Sequence, residues 1–223
     1  MCIIFYMRPL LLLLFISFSF IANAQTAKDS VTKVKTDTIA KVKFDSVAYK
    51  DSVRIDKLFS TASYPLIKRS KWSGVLAVDG ITEKPDPSMK YKLLVEITGF
   101  KTDSAATHQI ADELAEVGRI MNLHVAADVP KERLEVIVVA HGPILNALLT
   151  DEEYKKKYHI ANPNQDILQQ LQDNNVKIIA CGQALHFFEI PASHLVPQIK
   201  ISISAKVALS TYRNKGFASF TGG

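Results

Sequence analysis

The chain has 223 residues, of which 48% are hydrophobic and 22% are charged, and its formal net charge is +5. This composition is typical of one globular domain with extensions, and it excludes collagen-like and wholly disordered chains. The positive charge lies in residues 25–72, which carry 11 Lys and Arg against 5 Asp and Glu, whereas residues 73–223 carry 15 against 17. Nucleic acid is therefore a poor partner for the slightly acidic larger part of the chain.

The first 24 residues have the pattern of a secretory signal peptide. Arg8 precedes an apolar run over residues 10–22, and the run ends at the small-residue sequence Ala22-Asn23-Ala24. Because the run is shorter than the roughly 20 residues of a membrane-spanning helix, we expect cleavage after Ala24, with an uncleaved anchor as the alternative. The mature protein is then predicted to be exported to the periplasm and to have no transmembrane segment.

Residues 25–58 are predicted to form a disordered, basic tether. A short polar unit of Asp, Ser or Thr, and Val or Ile recurs, beginning at Asp29, Asp37, Asp45 and Asp51. Such a unit has too few large apolar residues to bury a core. The tether could bind an anionic surface, or it could be a solvated spacer, because its lysines alternate with aspartates. Residues 59–89 are an extension whose structure the sequence does not define.

From residue 90 onward, strand patterns alternate with helix patterns. The strand patterns are YKLLVEITGF, RLEVIVVAHG, VKIIA, KISIS and FASFT. Near-continuous apolar strands between helices predict a parallel sheet that is covered by helices on both faces.

The helix patterns carry their own boundary signals. The first predicted helix has Ile110, Leu114, Val117 and Met121 on its apolar face, and Asp103 or Ser104 is its expected cap. PILNALL is expected to continue through DEEYKKKYHI as one helix. Asn164 is expected to cap the next helix.

Two side chains that could take part in a reaction lie where predicted strands end. His141 closes the second strand and Cys181 closes the third, and ligands of parallel sheets gather at such ends. Cys2 is removed with the signal peptide, so Cys181 is expected to be unpaired. A helix start favours the thiolate, Gly182 leaves space beside it, and His141 could shuttle a proton. The alternatives are a cysteine that packs as a small apolar residue and a histidine that bonds a loop carbonyl.

The sequence gives no indication of a bound cofactor or a structural metal. Its 6 histidines have no His-x-x-x-His spacing, and there is no pair of cysteines at ligand spacing. The glycines do not form Gly-x-Gly-x-x-Gly, so no nucleotide or flavin is expected. A soft metal such as Cu(I) on Cys181 and His141 remains an alternative.

Three segments, in order, resemble the DsrE family of sulfur-relay proteins: VIVVAHGPILNALL, NPNQDILQQLQDNNVKIIACGQAL and ALSTYRNKGFASF. The resemblance covers residues 90–221 and suggests an exported member. It implies a flavodoxin-like three-layer α/β sandwich with a mostly parallel central sheet over residues 90–223, which assembles into trimers or hexamers. It implies that Cys181 carries sulfur as a persulfide. His141 matches the family's His-Gly-Pro, and Asn162 and Gln183 match neighbouring motif positions, although the match establishes no chemical role for those two. We predict Cys181 and His141 as catalytic residues and Gly182, Gln183 and Asn162 as substrate-binding residues.

The resulting expectation is a sulfur carrier or sulfurtransferase-like protein of the cell envelope, although the sequence leaves open whether it is an enzyme. Its partners would be a small sulfur donor and an acceptor protein. The family's characterised members act in the cytoplasm and usually have a more polar stretch in place of HFFEIPASHL after the cysteine. Two alternatives are a non-catalytic binding module for a thiol-reactive ligand or soft metal, and a structural oligomer of the envelope.

Overall fold

The structure, a computed structural model, describes residues 49–222. The predicted signal peptide, and the predicted tether as far as residue 48, lie outside these residues. The chain divides into two units, Met1–Lys57 and Leu58–Gly223. Of the first unit, residues 49–57 are described, and they are helical.

The second unit alternates strands and helices through most of its length. Its strands are β1 (Tyr91–Ile97), β2 (Leu134–Ala140), β3 (Lys177–Cys181), β4 (Lys200–Ser202) and β5 (Ala218–Thr221). Its α-helices from residue 90 onward are α1 (Asp112–Ala126), α2 (Asp151–Tyr158), α3 (Gln165–Asp173), α4 (Gly182–Phe187) and α5 (Ala205–Asn214). Within residues 49–222 there is no helix with the length and apolar character that crossing a bilayer requires.

The five strands form one parallel sheet in the order β4-β3-β2-β1-β5. Helices cover both faces, so the predicted flavodoxin-like three-layer α/β sandwich is confirmed, and the sheet is parallel throughout rather than mostly. The strands step from β1 to β4 in one direction, and the connection through α5 then returns to the far side of β1. Because crossovers between parallel strands are right-handed, this reversal places α5 on the face opposite to the earlier helices.

Alternate residues of each strand face the two helical layers. One core cluster contains Val95, Val138 and Ala180 and packs against α1, α2, α3 and α4. The other contains Leu94, Val139 and Cys181 and packs against α5. Continuous burial on both faces explains the near-uniform apolar sequence of β1, β2 and β3.

The segment before β1 is packed onto α1. Ile67 is fully buried in the larger core. The buried amide of Asn122 on α1 accepts hydrogen bonds from the backbone N–H groups of Leu66 and Ile67, at 2.8 and 3.0 Å. It also donates to the carbonyls of Ile67 and Ser73, each at 2.8 Å. Part of the extension therefore belongs to the domain core.

The predicted helix from PILNALL through DEEYKKKYHI is wrong as a single element. Gly142–Leu148 is a 3-10 helix, and α2 begins separately at Asp151. Leu149 forms an antiparallel bridge with Leu195, and the Thr150 N–H donates to the carbonyl of His194 at 2.8 Å. The two residues between the helices are thus held extended by a segment more than 40 residues away in the chain.

One predicted helix cap is wrong, and the other is right in position only. Asp103 accepts hydrogen bonds from Ala105 and Ala106, at the start of the 3-10 turn Ala106–His108, whereas α1 begins at Asp112 without a side-chain cap. Asn164 is the N-cap residue of α3 as predicted, but its side-chain oxygen accepts from the Ala111 N–H at 2.8 Å instead of from the helix. A tertiary contact therefore uses the polar group of Asn164 that the local sequence assigned to the helix.

Candidate functional site

The carboxyl ends of the strands bring the two predicted catalytic residues to neighbouring positions. The last paired residues of β2 and β3 are Ala140 and Ala180. His141 and Cys181 follow them in extended conformation, so the register continued by one residue places their Cα atoms about one strand spacing, roughly 5 Å, apart. Both residues have the parity of Val139 and Ile179, which face the α5 layer. The pair therefore lies at the sheet's carboxyl edge on the α5 side.

Cys181 is the residue from which α4 begins. It is the N-cap of α4, and its Sγ accepts a hydrogen bond from the Ala184 N–H at 3.4 Å. A thiol sulfur is a weak acceptor, and a thiolate is a better one. This contact is thus stronger when the sulfur is ionised.

The sulfur is covered rather than open to solvent. Cys181 is 6% exposed and packs in the smaller core cluster with Ala205 and Ala208 of α5. It is the one cysteine of residues 49–222, and it forms no disulfide there. In this conformation the protein leaves little of this residue in contact with solvent.

His141 is held by a carboxylate that the sequence did not single out. Its Nε2 lies 2.9 Å from Oε1 of Glu96 on β1, and its backbone N–H donates to the Ile97 carbonyl at 3.1 Å. An ionised carboxylate only accepts hydrogen bonds, so this contact is a hydrogen bond when Nε2 carries a proton. Arg213 of α5 lies 4.0 Å from the other oxygen of Glu96. The feature of the sequence that could have identified Glu96 is an acidic residue inside the apolar strand YKLLVEI.

Gly182 has a packing reason to be glycine. A Cβ at this position would lie 2.9 Å from the carbonyl oxygen of Ser202 and 3.4 Å from that of Ile203. The backbone of β4 and the residue after it thus occupy the space that a side chain would need. Gln183 is exposed, and its N–H donates to the Ile203 carbonyl at 3.1 Å.

Asn162 organises a loop rather than the cysteine. It is buried, and its amide donates to the carbonyls of Ala147 and Leu149 at 3.0 and 2.6 Å. Its side-chain oxygen accepts from the backbone and side chain of Asn164, each at 2.9 Å. These contacts use its donors and acceptor between the 3-10 helix and α3. Its predicted role in substrate binding stays a prediction, as do the roles of Gly182 and Gln183.

A cavity whose lining includes neither Cys181 nor His141 lies at the carboxyl end of β1. It has a volume of about 360 Å³, and its lining includes Phe100, Ile110, Ala111, Asp112 and Glu113. Between β1 and β5 the chain changes the side of the sheet to which it adds strands, and the carboxyl end of such a pair is a common ligand position in parallel sheets. Glu113 accepts a hydrogen bond from the Thr98 N–H, and Asp112 pairs with Lys101 at 2.9 Å. The two carboxylates of its wall thus already have partners within the protein.

The described residues contain no group of three or more His, Cys, Asp or Glu side chains that could hold a metal ion. The chemistry available at the edge is that of one thiol, one imidazole and one carboxylate. A thiolate can attack an electrophilic sulfur, and a neutral imidazole with a free nitrogen can take up the thiol proton.

Comparison with known proteins gives a family. The model of the DsrE/DsrF-like family matches residues 96–221, which is more than half of the chain. A solved structure described as a protein of unknown function, MTH1491, from Methanobacterium thermoautotrophicum is 18% identical, with a TM-score of 0.40. The match covers 59% of this chain and 98% of that one. No curated protein matches the chain.

Proposed function

Because this chain belongs to the DsrE/DsrF-like family, we propose that it is a sulfur carrier in which Cys181 accepts sulfane sulfur as a persulfide. Family membership suggests a sulfur-relay-like role. The observation that supports the proposal is a free thiol at the carboxyl end of β3, with His141, whose imidazole contacts Glu96, following the end of the adjacent strand β2.

The loading step needs no external oxidant. The Cys181 thiolate attacks the outer sulfur of thiosulfate, a sulfur–sulfur bond forms at Cys181, and sulfite leaves with the electron pair of the broken bond. Delivery is the reverse type of exchange, since an acceptor thiolate attacks the outer sulfur and Cys181 leaves as thiolate. The Nδ1 of His141 takes the thiol proton before attack and returns it afterwards.

The proposed location and partners of the protein follow from its sequence. We place the mature protein in the periplasm after export, with the basic tether at its N-terminus. Its partners are a small sulfur donor, an acceptor protein and further copies of the same chain in a trimer or hexamer. The reaction uses no cofactor, and it makes the protein a sulfurtransferase-like carrier.

The burial of Cys181 favours a second candidate, a structural envelope oligomer in which the cysteine only packs. A free cysteine is among the residue types most often buried for packing alone. A binding module that captures a soft metal or a thiol-reactive ligand without turnover is a third candidate, and it would use the same sulfur.

Intact mass spectrometry tests the carrier against the other two candidates. The native protein is incubated with thiosulfate or polysulfide, and we expect a gain of one sulfur atom that a thiol reductant reverses. Cys181→Ser should show no gain, and Ser202→Ala, at the neighbouring strand position, should load as the wild type does. Absence of any gain with either donor, while the unfolded protein reacts with a thiol reagent, would rule out the carrier. Stoichiometric Cu(I) uptake that depends on Cys181 would then support the binding module, and its absence would leave the structural candidate.

A further inference from the structure

The cavity at the carboxyl end of β1 has the size and the position of a small-molecule site. Its volume of about 360 Å³ lies within the range of roughly 300–1,000 Å³ that is usual for ligand pockets. It lies beside the neighbouring ends of β1 and β5, where parallel sheets commonly bind ligands. Its lining includes neither Cys181 nor His141, so the sulfur chemistry proposed above leaves it unused.

Apolar side chains form part of the lining. Phe100, Ala106 and Ile110 all line the cavity, and each is half-buried. The ring of Phe100 contacts those of Tyr154 and Tyr158, at centroid distances of 6.5 and 6.0 Å. A ligand that fills the cavity therefore gains free energy from an apolar body.

One carboxylate oxygen of the lining has no hydrogen-bond donor. Oε2 of Glu113 accepts from the Thr98 N–H, whereas its Oε1 accepts no hydrogen bond from any residue of the described range 49–222. A Cβ at Gly99 would lie 2.7 Å from Oε1, so the glycine leaves open a space that a side chain would occupy. An ionised oxygen of this kind can accept a hydrogen bond from an N–H group of a ligand.

The charges of the lining favour a cation over an anion. Lys101 pairs with Oδ2 of Asp112 at 2.9 Å, so these two charges balance each other. The groove that continues from the cavity adds Glu116, whose carboxylate pairs with Arg119 at 2.9 Å. Among the residues that the structure describes, the carboxylate of Glu113 thus has no counter-ion in this lining. It would repel an anionic ligand, even at the start of a helix.

We infer that this cavity binds a small organic cation, namely a primary ammonium ion with a short apolar body. The ammonium group donates a hydrogen bond to Oε1 of Glu113 and balances its charge. The apolar body packs against Phe100 and Ile110. The site is separate from Cys181, so the inference is independent of the proposed sulfur chemistry.

Three six-carbon probes that differ in charge test the inference: hexylammonium, hexanol and hexanoate. Each probe is titrated into the isotope-labelled protein, and the backbone NMR signals are followed. We expect hexylammonium to shift the signals of Gly99, Phe100 and Ile110 to saturation, and to bind about tenfold more tightly than hexanol. Hexanoate should bind more weakly than hexanol, because its carboxylate meets that of Glu113.

The variant Glu113→Gln isolates the contribution of the carboxylate. Its amide oxygen can still accept from the Thr98 N–H, while an NH₂ group, which cannot accept, replaces Oε1. We expect this variant to bind hexylammonium about tenfold more weakly and hexanol as tightly as the wild type does. The control Glu132→Gln removes an exposed carboxylate just before β2, at the opposite edge of the sheet, and should bind both probes normally.

The inference is overturned if hexanol or hexanoate binds as tightly as hexylammonium, or if no probe reaches saturation. Unchanged hexylammonium binding in Glu113→Gln would also overturn it. Should that variant fail to fold, which its NMR spectrum would show, Gly99→Ala is the second test. Its methyl group would cover Oε1 and should weaken hexylammonium binding to a similar degree, and an unchanged affinity would again contradict the inference. None of these results alters the test of sulfur loading at Cys181.

Discussion

Tyr154 and Tyr158 stand one turn apart on α2, with ring centroids 4.6 Å apart, and they differ in what their hydroxyl groups contact. The Tyr154 hydroxyl donates to the Thr107 carbonyl at 2.8 Å. The buried Tyr158 hydroxyl finds no hydrogen-bond partner within residues 49–222. We expect Tyr154→Phe to lower the free energy of unfolding by about 1–2 kcal/mol, and Tyr158→Phe to leave it unchanged or raise it. Urea unfolding of the two matched variants checks this, and equal losses would contradict it.

The same residues predict an alkaline loss of stability. Burial, followed by the charge of neighbouring Tyr158, raises the pKa of Tyr154 from 10.0 to about 12. A folded-state pKa above the unfolded value means that the neutral hydroxyl contributes stability in full below pH 10. That contribution is lost as the pH rises through 12, and it amounts to about 3 kcal/mol at most. Unfolding curves of Tyr154→Phe should therefore depend less on pH between 10 and 12 than those of the wild type.

Glu96 is predicted to position His141 and not to touch the transferred sulfur. Its carboxylate is what keeps the proton on Nε2, and the amide of Glu96→Gln can donate as well as accept and so removes that preference. We expect sulfur loading in Glu96→Gln to slow about tenfold or more, with a changed pH profile and unchanged final stoichiometry. The control Glu135→Gln removes an exposed carboxylate that pairs with Lys90 and should load normally. Normal loading in Glu96→Gln would assign Glu96 a structural role only.

The residue-level predictions succeeded where one strand end could be read by itself. Cys181 and His141 were placed correctly at strand ends, whereas only the structure shows that the two strands are adjacent. Glu96 was missed because its role depends on the register between β1 and β2, which the order of residues in either strand does not reveal. Asn164 was assigned to a cap because a helix start was visible, whereas its actual acceptor contact comes from Ala111, 53 residues away.

The helix α1 contacts a segment that is distant in the sequence, the extension before β1, and holds it in place. Asn122→Ala removes hydrogen bonds to three buried or partly buried backbone positions, and we expect a loss of about 2–4 kcal/mol in unfolding free energy. A Cβ at Gly118 would lie 2.8 Å from Cγ2 of Ile67, so Gly118→Ala should cost about 1–3 kcal/mol. Chemical denaturation measures both. Glu116→Gln on the same helix should change stability by less than about 0.5 kcal/mol, and similar values for all three would contradict the assigned contacts.

Helix boundaries show why element-level prediction has limits. Pro143 at the start of PILNALL and the Glu–Lys pairs of DEEYKKKYHI predict one helix, yet the structure interrupts it at Leu149. The interruption comes from a bridge to Leu195, a residue on a different part of the chain. Such local helix signals do not report a strand-like contact that competes with the helix.

At the scale of the molecule, the folded unit begins before the first strand. The family match starts at residue 96, and the sequence placed the domain boundary at residue 90, whereas Ile67 is fully buried in the main core. A chain that starts at residue 90 should be less stable than one that starts at residue 58 by more than about 3 kcal/mol, because it loses this side chain and the partners of Asn122. Thermal unfolding compares the two, and equal midpoints would show that the extension is dispensable.

The fold class followed from alternation of strands and helices, which is a property of the whole sequence rather than of one motif. The alternation predicted a parallel sheet between helical layers, and the structure confirms it. It did not show that the last strand joins the sheet beside the first, because that pairing depends on which face α5 covers. The cavity at the end of β1 was missed for the same reason, since it forms where this reversal leaves a gap.

The burial of Cys181 affects how fast its sulfur reacts rather than how tightly it binds a ligand. A sulfur that meets solvent only during brief opening of the fold is oxidised to sulfinic acid, or stripped of a bound sulfur, at a rate scaled down by the open fraction. A persulfide held there would outlast one on a surface thiol by the same factor. The protein would then release its sulfur only to a partner that binds the open conformation, and would not transfer it at every encounter with a thiol.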